Sequence, residues 1–155
     1  ENGEDREARR NMMIASTIGG MAFISSNVGA VHAFAETVGA WFDTPHGVAN
    51  SLFLPYIMEF NIPACPERFA DIADAMGIER EESMSDEQYA LKAVEYVKAL
   101  NRKLNIPTIK EIKGITEERF EAIAERSANN VLSNDNARKI TKEDYLELLK
   151  KAYNE

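Results

Sequence analysis

The feature that most constrains this chain is the spacing of its small and apolar residues, which recur every three or four positions along nearly the whole length. That spacing is typical of α-helices packed on one side, and no useful length of the sequence shows the alternation of half-buried β-strands. Helices are predicted over residues 5–24 and 27–39, and a third begins at His46 and continues through Met58. Pro55 removes one backbone donor from the third helix, so we expect a kink there.

The second half of the chain carries clear helix boundaries. Four helix starts are indicated by a proline suited to the first turn or by a hydroxyl residue suited to capping: Pro66, Ser85, Thr116 and Thr141. Ser85 with Gln88, three residues later, has the pattern of a capping box, and Asp144 stands at the same distance from the last cap. A loop is predicted at residues 133–136. No linker or internal repeat interrupts the pattern, so the sequence predicts one all-α domain over residues 1–155, a helical bundle of about seven helices.

Charge and cysteine content exclude several functional classes. The formal net charge is −8, which repels phosphate backbones and anionic lipid, so we expect no nucleic-acid or membrane partner. Cys65 is the single cysteine, so an internally disulfide-bonded scaffold is excluded. No apolar run approaches the roughly 20 residues needed to span a bilayer, and a cytoplasmic protein is expected. The polar start without an initiator methionine favours a chain that begins within a longer sequence.

The two histidines of the chain, His32 and His46, lie 14 positions apart. The helical stretch from His32 to Gly39 covers about 10 Å, and the residues that follow can extend over roughly 20 Å, so the chain can fold back and bring the two imidazoles together. Neutral imidazole is a good ligand for Fe, Zn and Ni. The spacing alone leaves two interpretations open: a shared metal site, or one packed and one capping histidine. Two ligands are also fewer than the three that catalytic metal sites take from the protein.

Four motifs surround and follow the histidines. They are residues 31–35 (VHAFA), 43–50 (DTPHGVAN), 68–77 (RFADIADAMG) and 136–138 (NAR). Together they resemble the iron-containing (group III) alcohol dehydrogenases, which usually have Asn-Pro-Arg at the last motif. The most specific feature of the resemblance is the motif at residues 43–50 with a helical histidine, His32, 14 positions before His46. The resemblance covers nearly the whole chain.

The resemblance implies a fold, a metal and a reaction. Members of the family join an N-terminal half that binds NAD(P) to a C-terminal helical half, the dehydroquinate synthase-like α-domain, and this chain resembles the helical half. Their metal, Fe²⁺ with Zn²⁺ as the alternative, is held by one Asp and three His. Two of these match His32 and His46, and the other two fall upstream of this chain. The metal acts as a Lewis acid on a small alcohol or aldehyde during hydride transfer.

Glu36 is the main departure from the family pattern, because many members carry a further histidine at this place near the nicotinamide. Glu36 lies four residues after His32 and therefore shares its helix face. Three roles are open for its side chain: a proton relay to solvent, a partner that orients the metal-binding histidine, or a solvated carboxylate.

Other residues are weaker candidates. Aromatic residues at helical spacing are more often core. Four of them are nevertheless candidates for lining a substrate cleft: Phe23, Phe34, Trp41 and Phe42. Asn27 and Asp43 are either polar groups at the edge of a site or caps. Cys65 precedes a proline at a helix start, which can lower a thiol pKa, but no base is near it in sequence and we interpret it as structural.

The chain lacks a glycine-rich dinucleotide turn, a βαβ pattern and an Asp-x-x-x-His pair. We therefore expect the isolated chain to be inactive and to bind metal weakly, through two histidines alone. The alternative is a stand-alone helical structural or interaction domain without catalysis. Apolar surface on the first helices would favour a homo-oligomer.

Overall fold

The computed structural model describes residues 2–155, which contain seven α-helices. The helices are α1 (Arg6–Ser26), α2 (Ala30–Phe42), α3 (His46–Asn61), α4 (Pro66–Ala75), α5 (Asp86–Lys103), α6 (Phe120–Ala128) and α7 (Lys142–Asn154). Short 3-10 helices lie at Ile62–Ala64, Ile109–Glu111, Glu117–Arg119 and Val131–Asp135. No strand is formed within the described residues. The predicted all-α fold is confirmed, as expected from the helical spacing of the apolar residues.

The main core surrounds α2, which packs against α3 and α6. Ala30 and Ala33 are completely buried, and their small side chains let the neighbouring helices approach closely. Phe34 stacks on Phe53 of α3, with 4.2 Å between the ring centroids, and meets Tyr145 of α7 edge-on at 4.6 Å. Aromatic pairs in these geometries stabilise a fold beyond the area that they bury. The helix that carries His32 is therefore fixed against α3, α6 and α7.

A second core joins α4 and α5 to the end of α3. Tyr89 of α5 is buried there, and its hydroxyl donates a hydrogen bond of 2.6 Å to the Ile78 carbonyl. Met58 and Ile62 extend the same cluster from the α3 side. This core holds the far end of α3, away from His46.

The α3 helix continues through Pro55, and a side chain from α5 satisfies the carbonyl that the proline leaves without a partner. A proline has no N–H, so the carbonyl four residues earlier, that of Ser51, loses its helical hydrogen bond. Asn101 Nδ2 donates to this carbonyl at 2.6 Å. The α3–α5 contact thus replaces the missing backbone bond and keeps the helix continuous.

The α1 helix stands apart from both cores, and none of its residues is buried. Seven large apolar side chains on it are more than half exposed: Met12, Met13, Ile14, Ile18, Met21, Phe23 and Ile24. The chain turns by 110° between α1 and α2, at Asn27, whose φ is 61°. The apolar exposure expected of the first helices is thus found on α1, whereas α2 is mostly core. Within residues 2–155 no single helix has the length and apolar character to cross a membrane, although α1 and α2 meet that test as a bent pair.

The predicted helix starts agree with the structure in most places. Ser85 and Thr141 each form a capping box with the residue three positions later. Thr116 makes no side-chain cap, and a 3-10 turn at Glu117–Arg119 precedes α6. The predicted loop at residues 133–136 is wrong in part, because a 3-10 helix extends to Asp135, capped by an upstream asparagine that accepts from a backbone N–H.

Candidate metal centre

A three-residue turn joins α2 to α3 and reverses the chain between the two histidines. Asp43 ends α2 in the left-handed conformation, with φ 51° and ψ 38°, and Pro45 immediately precedes α3. A Cβ at Gly39 would lie 3.2 Å from the Thr44 carbonyl oxygen. Glycine at this position therefore lets the turn close tightly against α2, which is what brings the start of α3 beside the middle of that helix.

His32 and His46 lie side by side across this turn. Their ring centroids are 5.3 Å apart, and the ring planes are inclined by 52°. A ring nitrogen binds a transition metal at about 2 Å, so two imidazoles on one tetrahedral ion place their ring centres roughly 5 Å apart. The predicted approach of the two imidazoles is therefore present with a separation that fits one shared ion, while their role as ligands stays a prediction.

His32 is half-buried at the wall of an open pocket of about 370 Å³. The other lining residues are mostly aliphatic or small: Val28, Gly29, Val31, Asn50, Ser51 and Leu54. Burial lowers the pKa of His32, the nearby His46 lowers it further, and the charge of Glu36 opposes both effects. A lowered pKa keeps the imidazole neutral at physiological pH, which is the form that binds a metal.

Asn50, one turn into α3, contacts His46. Its Nδ2 lies 3.1 Å from His46 Nε2 and donates a hydrogen bond of 2.9 Å to the His46 backbone carbonyl. Its Oδ1 is buried and has no hydrogen-bond partner, the one such side-chain atom found in residues 2–155. Asn50 belongs to a motif noted in the sequence, but it was assigned no role there. The spacing of four residues from His46 was the available signal.

Glu36 is tied to the segment after α6. Its Oε2 accepts a hydrogen bond of 2.7 Å from Asn130 Nδ2, and the side chain is exposed. In the described part of the chain no hydrogen bond joins it to His32, so it acts on that imidazole through its charge. The contact with Asn130 was not anticipated, because it links positions that are far apart in sequence.

Asn136 anchors the first turn of α2. Its Oδ1 accepts from the Ala30 N–H at 3.3 Å and from Asn61 Nδ2 at 3.1 Å, and its Nδ2 donates to Asn61 Oδ1 at 2.7 Å. A Cβ at Gly29 would lie 3.0 Å from Asn136 Oδ1 and 3.2 Å from its Cα. The 136–138 motif thus positions the helix that carries His32, a structural role that the resemblance alone did not provide.

The four aromatic candidates for a substrate cleft lie outside the pocket beside His32. Phe34 belongs to the core. Phe42 is half-buried beside Gly114, and a Cβ added at Gly114 would lie 3.2 Å from the Phe42 ring. Phe23 and Trp41 are 53% and 43% exposed. The pocket wall is therefore aliphatic rather than aromatic.

The three remaining polar candidates occupy caps or half-buried positions. Asn27 ends α1 and donates to Asp135 at 2.8 Å, and Asp43 ends α2. Burial raises the pKa of the Cys65 thiol, opposite to the lowering that a helix start can produce, because the side chain is partly desolvated. Within residues 2–155 no group of three or more His, Cys, Asp or Glu side chains is placed to hold a metal.

A helical domain that presents two neighbouring imidazoles beside an apolar pocket has the parts of a ligand-bearing domain of a metalloprotein. Comparison with known proteins gives the family: the profile described as "Fe-containing alcohol dehydrogenase family, C-terminal" matches residues 1–153. The chain belongs to this family, and the resemblance seen in its motifs is confirmed.

The relatives are longer than this chain. Lactaldehyde reductase of Escherichia coli (strain K12) is 38% identical over 149 residues, which cover 96% of this chain and 39% of that protein. The 1,3-propanediol dehydrogenase of Citrobacter freundii is 36% identical over 151 residues, 97% of this chain and 39% of that one. Among solved structures, alcohol dehydrogenase from Oenococcus oeni superposes with a TM-score of 0.92 at 40% identity, covering 98% of this chain and 39% of that chain.

Proposed function

We propose that residues 1–155 form the metal-binding helical portion of an NAD(P)-dependent alcohol dehydrogenase and that His32 and His46 supply two of the ligands of its metal. The observation that carries the proposal is the pair of imidazoles across the α2–α3 turn, with centroids 5.3 Å apart. The names of relatives support the reaction class and both forms of the dinucleotide: NADPH-dependent butanol dehydrogenase of Clostridium saccharobutylicum and NAD-dependent methanol dehydrogenase of Bacillus methanolicus.

The donor set fits Fe²⁺, with Zn²⁺ as the alternative, because both ions accept imidazole nitrogen. When bound, the metal supplies a Lewis acid for an alcohol or aldehyde oxygen. The chain's own residues prepare the site. Burial keeps His32 neutral, and the aliphatic pocket beside it provides a wall from which water is excluded when a small alcohol enters. The remaining ligands and the dinucleotide site belong to a part of the enzyme outside residues 1–155.

We propose that Glu36 acts as a proton relay to solvent. Its carboxylate lies on the same helix as His32, one turn further on, and is exposed to solvent. A carboxylate held by Asn130 at 2.7 Å has a fixed position from which to exchange a proton between the site and bulk water. A Glu36→Gln variant keeps a hydrogen-bonding oxygen for Asn130 but cannot carry the proton. In an enzyme that includes this segment, the variant should change the pH dependence of turnover, and an unchanged pH profile would contradict the relay.

A second function is favoured by α1, whose apolar side chains are exposed along the whole helix. An exposed apolar surface of this kind favours association, so the isolated chain is also a candidate helical interaction domain that forms homo-oligomers. Sedimentation over a range of concentrations tests this proposal. A monomer at the highest concentration would contradict it, and a Met12→Lys, Ile18→Lys variant, altered on the exposed side chains, should remain monomeric.

Equilibrium dialysis against zinc, and anaerobically against Fe²⁺, tests the metal site. We expect one weakly bound ion per chain, loss of binding in a His32→Ala, His46→Ala double variant, and retention in an Asn130→Ala control. Unchanged binding by the double variant would contradict the proposal. The isolated chain should also give no steady reduction of NAD with a short-chain alcohol, and turnover at micromolar protein would show that the missing part is not needed.

A further inference from the structure

The amide of Asn50 is an unusual feature of the proposed metal site. Its oxygen is buried without a partner, and a buried carbonyl oxygen left unpaired destabilises the folded state. The amide also lines the pocket beside His32 and contacts His46. Some favourable contact must therefore hold the amide in this orientation.

Asn50 Nδ2 lies close to two atoms of His46. It donates to the His46 backbone carbonyl at 2.9 Å and lies 3.1 Å from the ring nitrogen Nε2. Turning the amide over would place its oxygen against the carbonyl oxygen of His46, where two acceptors repel each other. The backbone contact thus fixes the amide as a donor, and His46 Nε2 must be the acceptor, with the proton of the neutral ring on Nδ1.

This hydrogen bond is incompatible with a metal on either nitrogen of His46. If the metal binds Nε2, it uses the same lone pair that accepts from Asn50. If the metal binds Nδ1, the neutral ring carries its proton on Nε2, which then cannot accept a hydrogen bond. A contact that exists only in the metal-free protein stabilises that state and weakens metal binding by the same free energy.

We propose that Asn50 is a positioning residue that holds the Nε2 lone pair of His46 in the metal-free protein and competes with the metal for this imidazole. The inference rests on the proposed metal site at His32 and His46. In the metal-free state the amide keeps the ring beside His32 with Nε2 unprotonated, and metal loading requires the hydrogen bond from Asn50 to Nε2 to break. The strength of one neutral hydrogen bond sets the size of the competition, about two- to tenfold in affinity.

The test compares three proteins, the unaltered chain, Asn50→Ala and Asn154→Ala, with zinc alone as the probe. Asn154 is an exposed asparagine at the end of α7 and does not line the pocket beside His32. We expect Asn50→Ala to bind zinc about two- to tenfold more tightly and Asn154→Ala to match the unaltered chain. Equal or weaker binding by a folded Asn50→Ala protein would overturn the proposal. Asn50→Ser serves as a second variant if the alanine variant is unfolded by circular dichroism.

Nitrogen-15 NMR of the histidine rings gives a second readout, in metal-free protein at about pH 8.5, where histidine is neutral. His46 Nε2 should be unprotonated in the unaltered chain and in Asn154→Ala, and this preference should be lost in Asn50→Ala. A protonated His46 Nε2 in the unaltered chain would overturn the proposal. If none of the three proteins binds zinc, both the proposed metal site and the competition between Asn50 and the metal are overturned. The tautomer of the His46 ring would then still show whether Asn50 donates a hydrogen bond to it.

Discussion

Phe34→Ala tests the packing that holds the two histidine-bearing helices together. The Phe34 ring is completely buried. It joins α2 to α3 through Phe53 at 4.2 Å and to α7 through Tyr145 at 4.6 Å. Truncation of a buried phenylalanine to alanine destabilises a protein by about 3–5 kcal/mol, through lost burial and the cavity that remains. The two aromatic contacts place this site in the upper half of that range, about 4 kcal/mol.

A loss of about 4 kcal/mol changes the unfolding equilibrium constant by roughly a thousandfold and is a large part of the 5–15 kcal/mol, roughly, that stabilises a domain. Urea unfolding followed by helical circular dichroism measures it, with the slope of the free energy against urea unchanged. Phe34→Leu is the matched control and should cost about 1–2 kcal/mol, because most of the volume is kept. A folded Phe34→Ala protein within about 1 kcal/mol of the unaltered chain would refute the packing argument.

Three further predictions concern pH, α3 and α2. Because the pKa of His32 is lowered in the folded state, the unfolded chain binds this proton more readily, so stability is lost as the pH falls from the usual histidine pKa near 6.5 through the lowered value. With chelator present, a His32→Gln variant should lose less stability than the unaltered chain between about pH 7.5 and 5, and equal losses would contradict the assigned pKa shift. Asn101→Ala should cost about 1–3 kcal/mol in urea unfolding, because the Ser51 carbonyl beside Pro55 loses its partner; a cost near zero would show that water replaces the amide. Gly29→Ala should cost about 1–3 kcal/mol, because its Cβ would lie 3.0 Å from Asn136 Oδ1, while Gly47→Ala, with open space around its Cβ, should be nearly neutral.

Much of the helical architecture follows from local chemistry. The capping boxes at Ser85 and Thr141 were predicted because a hydroxyl and an acceptor three residues apart satisfy each other within one turn. Local pattern failed where the outcome depends on distant groups. The continuation of α3 past Pro55 was predicted, but its partner for the Ser51 carbonyl was not, because Asn101 comes from another helix. The apolar exposure expected of the first helices came from the resemblance to a longer enzyme, since local apolar spacing identifies a helix face but not what covers it.

The candidate site also combines features that the sequence predicts with features that depend on tertiary packing. The distance from His32 to His46 along the chain permits a fold-back, but their approach to 5.3 Å depends on the left-handed Asp43 and the close packing at Gly39. These are properties of one turn, and no helical periodicity predicts them. The contact of Asn50 with His46 was within reach of the four-residue spacing. The hydrogen bond between Glu36 and Asn130 joins residues 94 positions apart and depends on the packing of α2 against α6.

Zinc-edge X-ray absorption, with the protein in excess over zinc, tests most directly whether this chain brings two histidines to one metal. Two imidazole nitrogens at about 2.0 Å from the zinc are expected, and His46→Ala should reduce the number to one. A single imidazole in the unaltered chain, or a spectrum unaffected by the substitution, would contradict the shared metal site.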